Sequence, residues 1–237
     1  MLYDIAGLRV SVEGGGERFL RQAQPYVSAA AGDIADISVR VTDDQVMAAL
    51  PQCSLSADDC RYILSGMRFY FELLTHGGMM LHSSAVGVGG KAYIFSGNSG
   101  VGKSTHTANW LKLLGDEAFI LNDDKPALRL IEDRFFAYGT PWSGKHDISR
   151  NVGLPVAGIA FIERAAVNSI ERIPTFEAAG PLLAQTTRHI RAERMNILLE
   201  LVSRLIADVP IYRLCCTADV SSAEIAYETM RRVPNEN

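Results

Sequence analysis

An apolar run from Ala92 to Phe95 breaks off at Gly97-Asn98-Ser99-Gly100-Val101-Gly102-Lys103-Ser104, and a segment with apolar residues at helical spacing (Trp110, Leu111, Leu114) follows at once. Strand, glycine-rich loop, helix is an order that few folds accept. Glycines let successive backbone N–H groups curl into an anion-binding nest, and a helix starting at Lys103 turns the positive end of its dipole on the same point. The spacing G-x-x-x-x-G-K-[ST] is the P-loop, or Walker A, pattern: Lys103 reaches toward β- and γ-phosphates and Ser104 offers a hydroxyl to Mg²⁺. A glycine turn that binds nothing would need neither the strand before it nor the helix after it.

A second apolar strand, Phe119-Ile120-Leu121, runs into Asn122-Asp123-Asp124 about 20 residues past the loop. In a sheet whose two strands point the same way, both ends open on one crevice. One carboxylate there can hold a divalent cation and the other can accept the proton of an attacking hydroxyl. In isolation an Asn-Asp-Asp run is as readily an Asx turn or a helix cap. His82, in Met80-Leu81-His82-Ser83-Ser84-Ala85, lies just before the phosphate loop; alone, such a histidine is more often packed in a core than chemically active.

The rest of the chain narrows the class. With 237 residues, 48% hydrophobic and 21% charged, it can bury a large core without crosslinks. The net charge of −4 opposes a nucleic-acid partner, whose binding needs clustered Lys and Arg. Cys53, Cys60, Cys215 and Cys216 show no C-x-x-C or zinc spacing, which fits a reducing compartment. No stretch approaches the roughly 18 apolar residues of a membrane span, and the expectation is a cytoplasmic protein without a membrane partner.

Alternation predicts strands around Leu8, Val10 and Val12 and again around Ile34, Ile37, Val39 and Val41, with Gly14 to Gly16 turning the chain between them. Ser56-Ala-Asp-Asp opens a helix that runs to Thr75 and stops at His76-Gly77-Gly78. The run from Met79 to Val88 reads as one strand, and further strands are expected at 118–121, 127–130, 135–138, 158–162 and 211–214. Helices are expected at 176–187, at 192–207 and from Ser221-Ser222 onward, and a polar loop at 139–155. Residues 1–75 read as a small region packed on a 76–237 core, within one domain or as a lobe of it.

Leu81 to Asp124 resembles two related groups, the catalytic domain of bacterial HPr kinase/phosphorylase and ATP-dependent phosphoenolpyruvate carboxykinase, which share a histidine strand, a P-loop and an acid pair. Here these are LHSSAVGVGGKAYIFSGNSGVGKST and ILNDD, with His82 fifteen residues before Gly97. The resemblance implies an α/β carboxykinase-like P-loop fold with a mixed sheet flanked by helices. It implies ATP contacts at Gly97, Asn98, Ser99, Gly100, Val101, Gly102, Lys103, Ser104 and Thr105, and Mg²⁺ (or Mn²⁺) at Ser104 and Asp124. Asp123 would be the general base, with His82 either supporting it or, as in the carboxykinases, lying near a metal, and Lys103 on the transferred phosphate. The HPr kinase segment that follows the acid pair has no counterpart; Gly139-Thr-Pro-Trp-Ser-Gly-Lys-His146 stands in its place. The chain is also too short for a carboxykinase, and looks closer to compact HPr-kinase-like proteins, some resembling peptide serine kinases. The implied activity is ATP-dependent phosphorylation of a serine hydroxyl on a protein or peptide. An ATP-binding protein without transfer and a small-molecule carboxykinase-type enzyme are the alternatives.

Other residues carry weaker signals. Trp142, Lys145, His146 and Arg150 sit on a loop that should return to the phosphate end. Arg188, Arg191 and Arg194 around His189 could serve an anion site in trans in a homo-oligomer, although a solvated basic helix start is the simpler reading. Cys215-Cys216 reads as core packing, and His106 is assigned no role.

Overall fold

The computed structural model describes residues 1–30, 32, 34–52, 54–187 and 191–232. Cys53, Arg188 and His189 therefore lie outside the described residues.

The chain opens with β1 (Leu2–Ile5) and β2 (Leu8–Glu13), an antiparallel pair, then α1 (Gly16–Gln22) and β3 (Ile37–Arg40). β3 runs parallel to β2. A parallel neighbour needs a crossover, so the glycines at 14–16 cannot be the simple turn their composition suggests; they lead into α1, which provides that crossover. Gly14 (φ +74°) passes so close to Val41 that a Cβ would lie 2.0 Å from its carbonyl oxygen. Ile34 falls outside the strand and is 83% exposed. α2 (Asp43–Ala49) starts at a Thr42/Gln45 capping box, a short signal the apolar pattern does not carry.

α3 (Ala57–Leu73) begins as its sequence predicts, with the Ser56 hydroxyl accepting from the Asp59 amide at 3.0 Å. Its end is set by Gly77 in the left-handed region (φ +70°). The run from Met79 onward is not one strand. β4 (Gly78–Met80) pairs with β8 (Ala127–Ile131), while β5 (Ser83–Val88) pairs with β6 (Lys91–Ser96), and the chain steps between them at Leu81-His82. That step lifts His82 out of the strand.

After β6 come the phosphate loop, α4 (Lys103–Leu114) and β7 (Ala118–Asn122). The β8 strand, β9 (Arg134–Tyr138) and the long β10 (Gly153–Arg164) follow, then β11 (Ser169–Arg172), α5 (Thr175–Ala184), α6 (Ala192–Asp208), β12 (Ile211–Cys216) and α7 (Ser221–Met230). The nine-stranded mixed sheet runs β4-β8-β9-β10-β6-β5-β7, with β12 pairing to β10 and β11 to β12. Its curl comes from β10, which pairs antiparallel with β9 at residues 153–155 and then parallel with β6 and β12. β11, short and largely exposed, was invisible to periodicity.

Period-2 alternation sends neighbouring residues of the central strands to opposite faces. Ile94, Ile159 and Phe161 pack under α5 and α6 with Leu182, Leu198, Val202 and Leu205. Phe95, Ala160 and Ile162 face α4 and α7 with Trp110, Leu214 and Ala226. A third cluster joins the N-terminal sheet to the rest: Tyr3, Phe19, Tyr62, Phe69 and Tyr70 surround Trp142 from the 139–152 loop. The molecule is thus a mixed α/β protein with a curled sheet flanked by helices, and no helix among the described residues is long and apolar enough to cross a membrane.

Candidate functional site

β5 runs antiparallel to both β6 and β7, so the carboxyl ends of β6 and β7 and the amino end of β5 share one edge of the sheet. Ala85 pairs with Ile94 on one side and Asn122 on the other. Phosphate loop, acidic pair and Ser83-Ser84 are brought together by this register, although β5 separates the two strands that deliver the motifs.

The loop has the backbone its glycines permit. Gly97, Gly100 and Gly102 have φ of +143°, +78° and +118°. At Gly97 a Cβ would meet the Ile162 carbonyl oxygen at 3.1 Å. Gly102 is the N-cap of α4, and no side chain caps that helix. Its first amides and its dipole are directed at the loop, which suits an anion. The Lys103 ammonium is folded into the loop, donating to the Gly97 carbonyl at 3.0 Å and to the Asn98 carbonyl at 3.3 Å. Burial pulls its pKa below the usual lysine range, against the opposing pull of Asp124 and Asp123. Ser104 is half-buried; Asn98, Ser99 and Thr105 are exposed.

At the end of β7, Asn122 forms an Asx turn: its side-chain oxygen accepts the amides of Asp124 (3.0 Å) and Lys125 (2.7 Å). The Asx-turn reading of Asn-Asp-Asp is met, and the turn presents both carboxylates at this sheet edge. Asp123 is buried between the Ser84 hydroxyl, which donates to Oδ1 at 2.8 Å, and His146 Nδ1, 2.7 Å from Oδ2. Asp124 pairs with Lys125 and faces His82, whose Nε2 is 3.5 Å from its Oδ1. His82 Nδ1 lies 3.0 Å from the Gln185 side-chain oxygen, and the Gln185 amide reaches Asn98 of the phosphate loop at 3.3 Å. Burial and the Lys103 charge lower the His82 pKa.

Among the described residues no three His, Cys, Asp or Glu side chains form a metal cage. Mg²⁺ does not require one, since it binds through one or two protein oxygens and takes the rest from substrate phosphates and water. The Ser104 hydroxyl and the Asp124 carboxylate are hard oxygen donors of that kind and fit the ion.

Several weighed residues have other duties. Trp142 is a core residue: it is 1% exposed, stacks on Phe69 at 4.8 Å and donates to Ser65 at 3.1 Å. Arg150 lies over the Phe119 ring at 4.3 Å, and Lys145 is exposed. Arg194 holds the Glu72 carboxylate at 2.9 and 3.0 Å, so it is engaged within the chain. Cys216 is buried in the α4/α7 core. Ser84, Thr107 and Gln185 were missed as site residues. Ser84 bridges Asp123 and Thr107 of α4 (2.8 and 2.9 Å), and Gln185 arrives from about 100 residues away with no local signal.

His106 proves to be structural. The Trp110 indole N–H donates to its Nε2 at 3.1 Å, so Nδ1 carries the proton toward Ser222, 3.2 Å away. Burial pushes its pKa down from 6.5 to about 4. In the unfolded chain it protonates near pH 6.5 and in the native chain only near 4, so stability present above 6.5 is lost as pH falls through that window. Unfolding titrations should show a loss approaching ~3 kcal/mol from this residue between pH 6.5 and 4, and His106→Asn should flatten that limb.

A cavity of about 260 Å³ opens on the far side of the loop from the acidic pair, lined by Val101, Gly102, Thr105, Ile162, Ala165 and Ala218 among others. Arg164 braces this side of the loop through the carbonyls of Gly100 and Val101.

No protein-family model matches the chain, and no curated protein matches it by sequence. Among solved structures, the HPr(Ser) kinase/phosphatase from Coxiella burnetii is similar with a TM-score of 0.36 and 8% identity, over 63% of this chain and 95% of that one.

Proposed function

We propose that the chain is a Mg-ATP-dependent phosphotransferase that moves the γ-phosphoryl group to a serine hydroxyl of a protein or peptide, on a carboxykinase-like P-loop fold. One observation carries the reading: an uncapped helix N-terminus behind a P-loop faces two aspartates held at the same sheet edge. Phosphoryl transfer asks chiefly for positioning and charge stabilisation. The loop amides and Lys103 would hold the β- and γ-phosphates, and Ser104 with Asp124 would hold Mg²⁺. The ion, when bound, neutralises charge on the phosphates. The proton that the acceptor hydroxyl sheds would be taken up on the Asp123 side of the site.

The polarity of the loop supports the same assignment. Lys103 would address the terminal phosphates and Ser104 their Mg²⁺, while Thr105, the next residue along α4, lines the 260 Å³ cavity. The nucleoside would occupy that cavity and the acceptor the opposite, acidic side. Ala165→Leu, which fills the cavity, should weaken ATP binding about tenfold, or ~1.4 kcal/mol, while leaving inorganic tripolyphosphate binding unchanged. Equal weakening of both by calorimetry would refute this orientation. The activity itself is tested by incubating the chain with γ-labelled ATP, Mg²⁺ and a degenerate serine-peptide mixture. Label should enter peptides; ATP binding without label transfer would favour a nucleotide-binding partner protein, and oxaloacetate-dependent ATP consumption a carboxykinase-type enzyme.

A further inference from the structure

We propose that His146, rather than Asp123, is the side chain that takes the proton from the acceptor hydroxyl, Asp123 serving to orient and charge-balance its ring; this rests on the phosphotransfer reading above. The Asp123 side chain is 6% exposed and both of its oxygens are engaged, by Ser84 and by His146. Each oxygen keeps a second lone pair, but at 6% exposure the carboxylate offers an incoming hydroxyl little open path. The His146 side chain is 61% exposed. With Nδ1–H directed at a carboxylate, the free lone pair of the neutral ring belongs to Nε2. A buried carboxylate fixing the tautomer of an accessible imidazole is the arrangement that makes histidine an effective base toward a hydroxyl.

His146 sits on a loop fixed over the acidic pair. Two residues before it, Gly144 (φ +77°) lies so near that a Cβ there would come within 2.7 Å of the Asp124 Cβ. Past it, the Asp123 amide donates to the Ile148 carbonyl at 3.2 Å and the Arg150 amide to Leu121 at 3.0 Å, adding the segment to the edge of β7. The N-terminal region holds the outer side: Arg18 reaches the Gly144 carbonyl and Asp147, Gln22 also contacts Asp147, and Tyr26 donates to Ser149 at 2.9 Å. The ring is therefore presented by a scaffold and needs no ligand to place it.

In the step itself the acceptor O–H proton passes to Nε2 as the oxygen forms its bond to the γ-phosphorus. The bond from that phosphorus to the β-phosphate's bridging oxygen breaks, and its electron pair leaves with ADP. The imidazolium is stabilised by Asp123 and returns its proton to solvent. ATP and the hydroxyl are the sole reactants.

The test compares the unaltered chain with His146→Ala and His146→Gln, using γ-labelled ATP, Mg²⁺ and the serine-peptide mixture, with ATP affinity and melting temperature measured in parallel. Both variants should lose at least about a hundredfold in kcat while ATP affinity stays within about threefold, and added imidazole should restore part of the Ala variant's rate. Glutamine keeps a hydrogen bond to Asp123 but cannot accept a proton, so near-normal turnover in His146→Gln would mean the role is positional and would overturn the proposal. So would His146→Ala with kcat within threefold of the unaltered chain, or a loss that imidazole does not relieve. Failure of the unaltered chain to bind ATP, or binding without any transfer, would overturn the phosphotransfer reading first and this inference with it.

Discussion

Lys103→Ala is expected to reduce phosphoryl transfer by roughly a hundred- to thousandfold, the cost of removing one preorganised stabiliser of developing charge. The ammonium of Lys103 lies within the phosphate loop, bonded to the carbonyls of Gly97 and Asn98. Burial has already lowered the affinity of this amine for its proton, so it has little hydration to surrender when a phosphate replaces those carbonyls. The loss should fall mainly on kcat and on affinity for tripolyphosphate. Stability should change little, because water filling the space the side chain vacates can take up the Gly97 and Asn98 carbonyls. Steady-state ADP release with a parallel thermal melt checks both halves, and near-normal turnover would count decisively against a phosphate role for the loop.

Trp142→Ala should cost about 3–5 kcal/mol, the usual penalty for deleting a large aromatic from a packed core. For a chain of this size that lowers the melting temperature by on the order of 10 °C. Trp142 is fully buried among Phe19, Phe69 and Tyr70, and α3 makes room for it with Gly66, where a Cβ would stand 2.7 Å from the indole. Its removal leaves a cavity and takes away the indole N–H that Ser65 accepts, while the Ser65 hydroxyl keeps its own donation to the Tyr62 carbonyl at 2.8 Å. It also frees the 139–152 loop at the root of the segment carrying His146, so activity should fall at temperatures where the variant is still folded. Trp142→Phe, which keeps most of the ring volume, should recover most of the stability. A Trp142→Ala protein that melts within about 2 °C of the unaltered chain would show that the N-terminal cluster does not hold the loop.

Much of this was legible in the chain because the signals are local. The P-loop and its helix follow from glycines that tolerate positive φ and from helical periodicity after Lys103. Strands β6 to β9 and helices α3 to α7 were likewise expected, whereas the mixed character of the sheet was implied only by the family resemblance. The misreadings have specific causes. Met79 to Val88 looked like one strand because both halves are apolar, yet hydrogen bonds from the His82 amide to Gln185 and from Ser96 to the His82 carbonyl bend the chain at that point. Trp142 looked like a site residue because it stands in a polar loop, and nothing local announces that Gly66, some 75 residues earlier, has left a slot for it.

What the amino-acid order determined by itself is the glycine-rich loop: three positive-φ glycines, a lysine and a serine within eight consecutive residues, whose backbone follows from local preferences. Tertiary structure alone decided how the acids are used. Asp123 and Asp124 are adjacent in the chain yet point into different surroundings, one shut between Ser84 and His146, the other shared by His82 and Lys125. Those partners come from separate strands and loops, and a carboxylate's chemistry is set by burial and neighbouring charge, which chain adjacency does not specify.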